Sequence, residues 1–577
     1  MIRPATLQRS VIALAAATLA LGLGCGKQEP SAGAPTASAG GTDDSQITYD
    51  KLGRAPDTYV RYFPANPDNL NPIIQRDVYS DYLLSYIFDP LYDYDTQNNF
   101  VLKPLLASAL PTISEDKKTF TIPMRKDAKW HDGHPVTAHD VVFGYQMVVN
   151  PEVDSAQKKS YYADVEYFKA IDDYTLEIRM KKAYAFYANL LNMKSIVPKH
   201  LFEGVTPAQF NNFKYPAGHK LAGTAYSINP LGYGAYMVER FEPQKEIILV
   251  RNDDYWGPKP EVKRIHVLIL TDTLASRQFL KRGDLDAFNY NVTRQWKMED
   301  QNDAYIKRNF NLTLYYRAVY YYIGWNLQKE MFKDKRVRVA LAKLCDIDAF
   351  INQVELGYAT RCIGPYSKEF AQADPGIKPI AFDPKGASSL LDEAGWKDTD
   401  GDGIRDKGGQ KFEFQFLMPS KNPRGESLST LLQEELKKAG IRMTIRALEW
   451  NAFSEEIHNQ KFDALFSGWA SSDPEDDSFQ IFHSSQSKER GSNYVTYANP
   501  KVDELIEKAR VEFDQAKRNE LCHEINRLIY DDQPYCFLFH PQLISVIHKR
   551  FKTGKPSPLM GYDPRAGYDF KIVGRER

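Results

Sequence analysis

Hydrophobic and polar positions sort most legibly between residues 246 and 286, EIILVRNDDYWGPKPEVKRIHVLILTDTLASRQFLKRGDLD. Residues 246–250 and 262–270 are rich in Ile, Val and Leu with period-2 stretches, which predicts two β-strands. Between them stand Asn252-Asp253-Asp254 and Gly257-Pro258-Lys259-Pro260. Asn and Asp tolerate left-handed backbone and Pro fixes φ, so this segment turns. Thr271 or Asp272 is placed to N-cap a helix that carries Leu274, Phe279 and Leu280 and ends near Gly283. Taken alone, this is the strand–turn–strand–helix unit of any α/β domain.

The same reading extends along the chain. Residues 174–180 alternate as a strand, and Val141, Val142, Phe143 and Tyr145 follow Thr137 and Asp140 in the manner of a helix with an acid in its first turn. Residues 431–457 read as helix, Gly440 cap, strand and helix. At 577 residues the chain is too long for one ordinary core and predicts two or three domains.

The first residues read as an address. Arg3 and Arg9 precede an apolar run over 11–23 that is too short to span a bilayer and leads to small residues and Cys25. This resembles a bacterial lipoprotein signal cleaved before Cys25, with one departure. Gly22 stands where the motif usually has Leu, and Leu21 is one position further out. Lipidation at Cys25 is the expectation, plain secretion the alternative, and either way the protein is exported. Residues 26–46 are rich in Gly, Ala, Ser and Pro with almost no large apolar side chain, and are expected to form a flexible tether.

Several segments together resemble one family. They are YVRYFPANPDNLNPI with DYLLSYIFDPLYDYD, DGHPVTAHDV, NPLGYGAYMVERFEP, LVRNDDYWGPKPEVKRI with GDLDAF, and DKRVRVAL. The pattern is similar to the extracellular solute-binding proteins of family 5, the dipeptide, oligopeptide and nickel receptors of ATP-driven importers. It covers nearly everything after residue 57. The resemblance implies an α/β fold of the periplasmic binding protein type II-like class, with two lobes joined by a hinge and a small additional α/β domain in the N-terminal half. Mapped onto this chain it gives a signal at 1–25, a linker at 26–56, lobe I at 57–100, the small domain at 101–223, and lobe I again at 224–312. Lobe II follows at 313–537, and lobe I closes the chain at 538–577.

The resemblance also implies a binding site. The loop before the first helix, Arg76, Asp77 and Val78 here, corresponds to backbone that meets a peptide main chain. The aromatic strand Tyr320–Tyr322 lies near the hinge; Tyr321 and Asn326, the Asn at its end, are counted with the site. Arg336, Arg338 and Asp348 fit the family pattern with a structural role. In FDALFSGWASSDPEDDSF, Trp469 matches a cleft tryptophan. Three residues after it, where peptide receptors carry an Asp that pairs with the α-ammonium, stands Ser472, with Asp473 one place late.

Composition narrows the partners. Hydrophobic content of 43% and charged content of 26% suit a soluble globular protein, and a formal charge of −1 provides no basic excess for nucleic acid. The expected partners are a small peptide or peptide-like solute, an ABC transporter permease, and a membrane through the lipid anchor, with the protein itself monomeric. No cofactor is expected. His131, Asp132, His134, His139 and Asp140 could be read as metal ligands, but a turn and a helix start account for them. Asp398, Asp400, Asp402 and Asp406 with Gly403 resemble a calcium loop, although Gly409 stands where the terminal acid belongs; a solvated turn is the other reading. Cys345, Cys362, Cys522 and Cys536 allow disulfides in an exported chain, with Cys345–Cys362 and Cys522–Cys536 preferred and free buried thiols the alternative. No G-x-S-x-G, H-E-x-x-H or P-loop occurs. A receptor for peptides leads; a receptor for a metal chelate, opine or saccharide, an exported hydrolase, and a sensory version of the receptor are the alternatives.

Overall fold

The computed structural model describes residues 55–67, 69–75, 77–96, 98, 100–192, 194–212, 230–290, 293–471, 473–488, 491–559, 561 and 570–573. Cys25 and the tether therefore lie outside the described residues, as do Arg76 and Ser472. Residues 49–577 form one compact unit. None of the described helices is long and apolar enough to cross a membrane.

The patterned segment 246–286 folds as its sequence dictates. Strands Glu246–Arg251 and Arg264–Ile269 pair antiparallel, with Leu249 opposite Ile265. Thr58–Phe63 joins parallel to Arg264–Ile269, and Tyr236–Glu242 closes the four-stranded sheet on the other edge. The helix Thr273–Arg282 starts at Asp272 rather than Thr271, because the Asp272 carboxylate accepts from the Ala275 amide at 2.6 Å. It stops at Gly283, whose φ of +88° is the left-handed region that favours glycine.

A second, eight-stranded sheet runs in the order Ala287–Tyr290, Tyr535–His548, Val319–Trp325, Ala464–Ala470, Glu413–Pro419 and Arg442–Leu448. Phe310–Tyr316 and Ala359–Arg361 also pair with the 14-residue strand Tyr535–His548. The expected boundaries at 312/313 and 537/538 thus fall inside strands, so continuous β-structure carries the chain past both points. A third sheet, Thr112–Ile113, Thr119–Pro123, Thr175–Met180 and Val165–Asp172, packs the helix Ala138–Val149 against it.

Buried charge ties the first two sheets together. Asp286, the second Asp of the GDLDAF run, accepts from the Val60 amide at 2.7 Å and from Arg550 Nε at 2.8 Å. Arg550 Nη2 also donates to the Thr58 carbonyl at 2.6 Å. Both side chains are buried and both are satisfied, which is the condition under which such a pair holds.

The preferred disulfides are not present. All four described cysteines are free, buried thiols. Cys345, after the helix Lys335–Lys343, lies against Cys536 of the long strand instead of Cys362, so closeness in sequence misled the pairing. Cys362 contacts the Gly364 carbonyl at 3.2 Å, and Cys522 takes a contact from Gln372 at 3.4 Å. Burial pushes the Cys362 thiol up to about 12 and the Cys522 thiol up to about 11.

Candidate functional site

Strands Val319–Trp325 and Ala464–Ala470 run antiparallel with Tyr320 opposite Trp469. Cross-strand partners share a face, so these two rings stand together. The half-buried Trp469 indole lies parallel to Tyr494, centroids 5.6 Å apart, and its Nε1 donates to Tyr535 Oη at 3.4 Å. Tyr320 is buried, and its hydroxyl has no hydrogen-bond partner among the described residues. Tyr321 points to the opposite face, where it packs on Phe466 and Phe539 with Arg424 above it. Tyr320, not Tyr321, is therefore the ring that accompanies Trp469. The buried Asn326 side chain donates to the Phe462 carbonyl at 2.8 Å and to the Gln460 carbonyl at 3.2 Å, and accepts from the Gln328 amide at 3.1 Å. These bonds hold the turn at the end of the strand.

The acidic segment beyond Trp469 is clasped from several sides. Glu475 is held by Arg518 at 2.8 Å, and its carbonyl accepts from Asn189 at 3.0 Å. Asp477 accepts from Arg510 at 2.9 Å and from Tyr184 at 3.2 Å, while Arg510 also reaches Asp164 at 3.0 Å. Asp473 faces the Tyr94 hydroxyl, which burial first and this carboxylate second push far above the ordinary phenol value.

Asp476 differs from its neighbours. Ser471 Oγ donates to it at 2.5 Å, and no cation pairs with it among the described residues. Burial, with Asp473 and Asp477 adding to it against the Ser471 hydrogen bond, pushes its carboxyl up to about 7. Sequence reasoning fixed on Asp473 and passed over Asp476; the run of acids in DPEDD was the available signal.

A basic wall adjoins the acidic one. The Arg61 guanidinium donates to Tyr86 Oη at 2.9 Å and lies 5.1 Å from the Phe63 ring centroid, near Tyr82. Neither Arg61 nor Arg317 has a carboxylate within ion-pair distance among the described residues. Both line a cavity of about 60 Å³ with Tyr82, Asn289 and Tyr315. Next to Arg317, the Ala318 carbonyl accepts from the Ser471 amide at 2.8 Å, so the two walls meet there.

Asp77 N-caps the first helix, Val78–Ile87, accepting from the Tyr79 and Ser80 amides at 2.9 Å each, and Val78 is exposed. The Asp77 carboxylate is therefore committed to the helix. Elsewhere, His131 is buried, contacts the Gly234 carbonyl at 3.0 Å, and is pushed by burial down to about 4. Asp140 accepts from the Thr137 amide at 2.8 Å, which is the helix-start role expected of it. In the acidic turn, Lys411 Nζ lies 2.6 Å from both Asp400 oxygens and 3.0 Å from Asp402. Asp406 is turned to Thr399 Oγ1 at 2.7 Å. Lys411 thus bridges two of the carboxylates proposed for calcium, while Asp398 accepts from the Gly401 and Gly403 amides.

Residues 101–490 match the model of the bacterial extracellular solute-binding proteins, family 5. The chain is 33% identical over 434 residues to the oligopeptide-binding protein AppA of Bacillus subtilis, covering 73% of this chain and 75% of that one. The nickel-binding periplasmic protein of Escherichia coli is 24% identical over 497 residues, covering 83% and 88%. Among solved structures, AppA from Bacillus subtilis in complex with a nonapeptide superposes with a TM-score of 0.72 at 29% identity, covering 89% of this chain and 99% of that one. NikZ from Campylobacter jejuni in complex with Ni(L-His) does so at 0.72 and 25%, covering 90% and 100%. With its sheets, its aromatic strand and these likenesses in accord, the chain belongs to the bacterial extracellular solute-binding proteins of family 5.

Proposed function

We propose that the protein is an exported receptor that captures short peptides or peptide-like solutes between two lobes and presents them to an ABC transporter permease. One observation carries the reading. An acidic wall in which protonatable Asp476 has no cation among the described residues adjoins a basic wall with two guanidiniums that have no carboxylate partner among them. A zwitterionic chain matches both: its α-ammonium suits Asp473 and Asp476, and its carboxylate suits Arg61 and Arg317. Trp469 and Tyr320 would flank the ligand between those ends, and the loop at 76–78 would offer main-chain groups. AppA, solved with a nonapeptide, supports the choice. The lobes would close because a ligand touching both walls favours the closed form. The chain would act as a monomer, tethered to the membrane by lipid on Cys25.

A second reading is a metal chelate, favoured by Ser472 at the expected Asp position and by NikZ, solved with Ni(L-His). Native mass spectrometry of protein purified without refolding, followed by release of bound ligand, separates the two. A ladder of peptide masses is expected. One non-peptide mass would replace the first reading by the second.

A further inference from the structure

We propose that Asp132, His134 and His200 form a binding site for a borderline divalent cation, Zn²⁺ or Ni²⁺, on the small N-terminal domain and apart from the solute site. Folding creates this cluster: His200 comes from 68 residues beyond Asp132. His200 Nε2 lies 2.8 Å from one Asp132 oxygen and His134 Nδ1 lies 3.1 Å from the other. All three donor atoms fall within 4.8 Å of one another. Ligand atoms about 2.0–2.1 Å from a tetrahedral zinc are about 3.3 Å apart, so donor atoms already within 4.8 Å of one another need only small adjustments to converge on one ion. Two imidazoles with one carboxylate suit Zn²⁺ or Ni²⁺ better than Ca²⁺ or Mg²⁺, which prefer all-oxygen sets.

The cluster is held in place before any metal arrives. Asp132 and Gly133 form a tight turn in which the Trp130 amide donates to the His134 carbonyl at 2.8 Å and Gly133 takes φ +93°. His200 sits in the short 3₁₀ turn Lys199–Leu201. The buried Asp140 accepts from the Lys199 amide at 2.9 Å and from Trp130 Nε1 at 3.4 Å, so one carboxylate fixes both carriers. The two imidazole rings are stacked, centroids 4.2 Å apart, with their edges toward Asp132. His134 is largely exposed, which leaves the remaining coordination positions to water.

The test is calorimetric titration of Zn²⁺ alone, then Ni²⁺ alone, into the full chain without an affinity tag, at about pH 7.5. One ion per chain is expected, with affinity reduced at least tenfold in His200→Ala and in the isosteric Asp132→Asn. His134→Gln, at an exposed position, provides a variant with little risk to folding and should weaken binding likewise. Binding should persist in His139→Ala, which removes an exposed imidazole outside the cluster, and in Trp469→Ala, which alters the solute site. Absence of saturable uptake overturns the proposal, and so does undiminished binding in His134→Gln and His200→Ala, or loss of binding in Trp469→Ala.

Discussion

Two buried carboxylates, Asp286 and Asp476, show how the same group serves architecture in one region and a site in another. Asp286 sits at the seam of two sheets with both carboxylate oxygens engaged by Arg550 and the Val60 amide. Asp476 sits beyond Trp469 with one hydroxyl donor, two more acids nearby and no cation among the described residues. A saturated charge locks a structure; a charge that lacks its counterion is poised for a ligand. The contrast makes the two positions respond in opposite ways to the same kind of substitution.

The largest effect is expected at the seam. Asp286→Ala leaves Arg550 buried and unpaired, which costs about 3–5 kcal/mol. Urea denaturation should report it as a lower midpoint with an unchanged slope, whereas a midpoint equal to that of the parent would remove the seam from the account. Asp476→Asn, by contrast, should leave the unliganded protein folded and strike binding instead. Affinity for a peptide identified by mass spectrometry should fall at least tenfold, or about 1.4 kcal/mol or more, in both Asp473→Ala and Asp476→Asn. An unchanged Kd in both would sink the amine-pairing role.

A smaller and more diagnostic effect concerns pH. With a folded-state carboxyl at about 7 and an ordinary value near 3.8, folded Asp476 keeps its proton where the unfolded chain has lost it. Between about pH 4 and 7 the folded state therefore binds more protons, and this group's contribution to stability falls as pH rises. Asp476→Asn removes that slope. Melting temperatures of ligand-free protein should coincide for the two proteins near pH 4 and separate towards pH 8, with the variant higher. Parallel curves would mean that the carboxyl titrates normally.

Much of the fold was legible because local pattern and global pairing agree. The strands at 246–251 and 264–269, the Gly283 stop and the Thr137–Asp140 helix start follow from periodicity and turn chemistry. The site was legible only in part. Trp469 and the acids after it were found as a segment, but a strand buried on both faces carries no clear alternation, so sequence alone did not tell which of Tyr320–Tyr322 stands opposite Trp469. Arg61, on a strand, and Arg317, in the connection between two strands, gave no signal, because a lone arginine looks the same in sequence whether its counterion is a side chain or a ligand. The cysteines failed for a related reason: short loops suggested pairs, while the sheet set Cys345 against Cys536.

The acidic turn offers a third carboxylate cluster between these two extremes, and the smallest expected effect. Asp400 and Asp402 are exposed and carry their own cation, Lys411, whose bond to Asp400 holds that carboxyl below its usual range. Because an ammonium already bridges Asp400 and Asp402 and offsets part of their charge, millimolar calcium should leave the melting temperature of the parent protein unchanged. Lys411→Ala removes the internal cation while leaving all four carboxylates, and calcium should then raise the melting temperature. A calcium-dependent rise in the parent protein would show instead that the ion displaces the lysine. This turn would then join Asp476 among the charges that await a partner, rather than Asp286 among those that already have one.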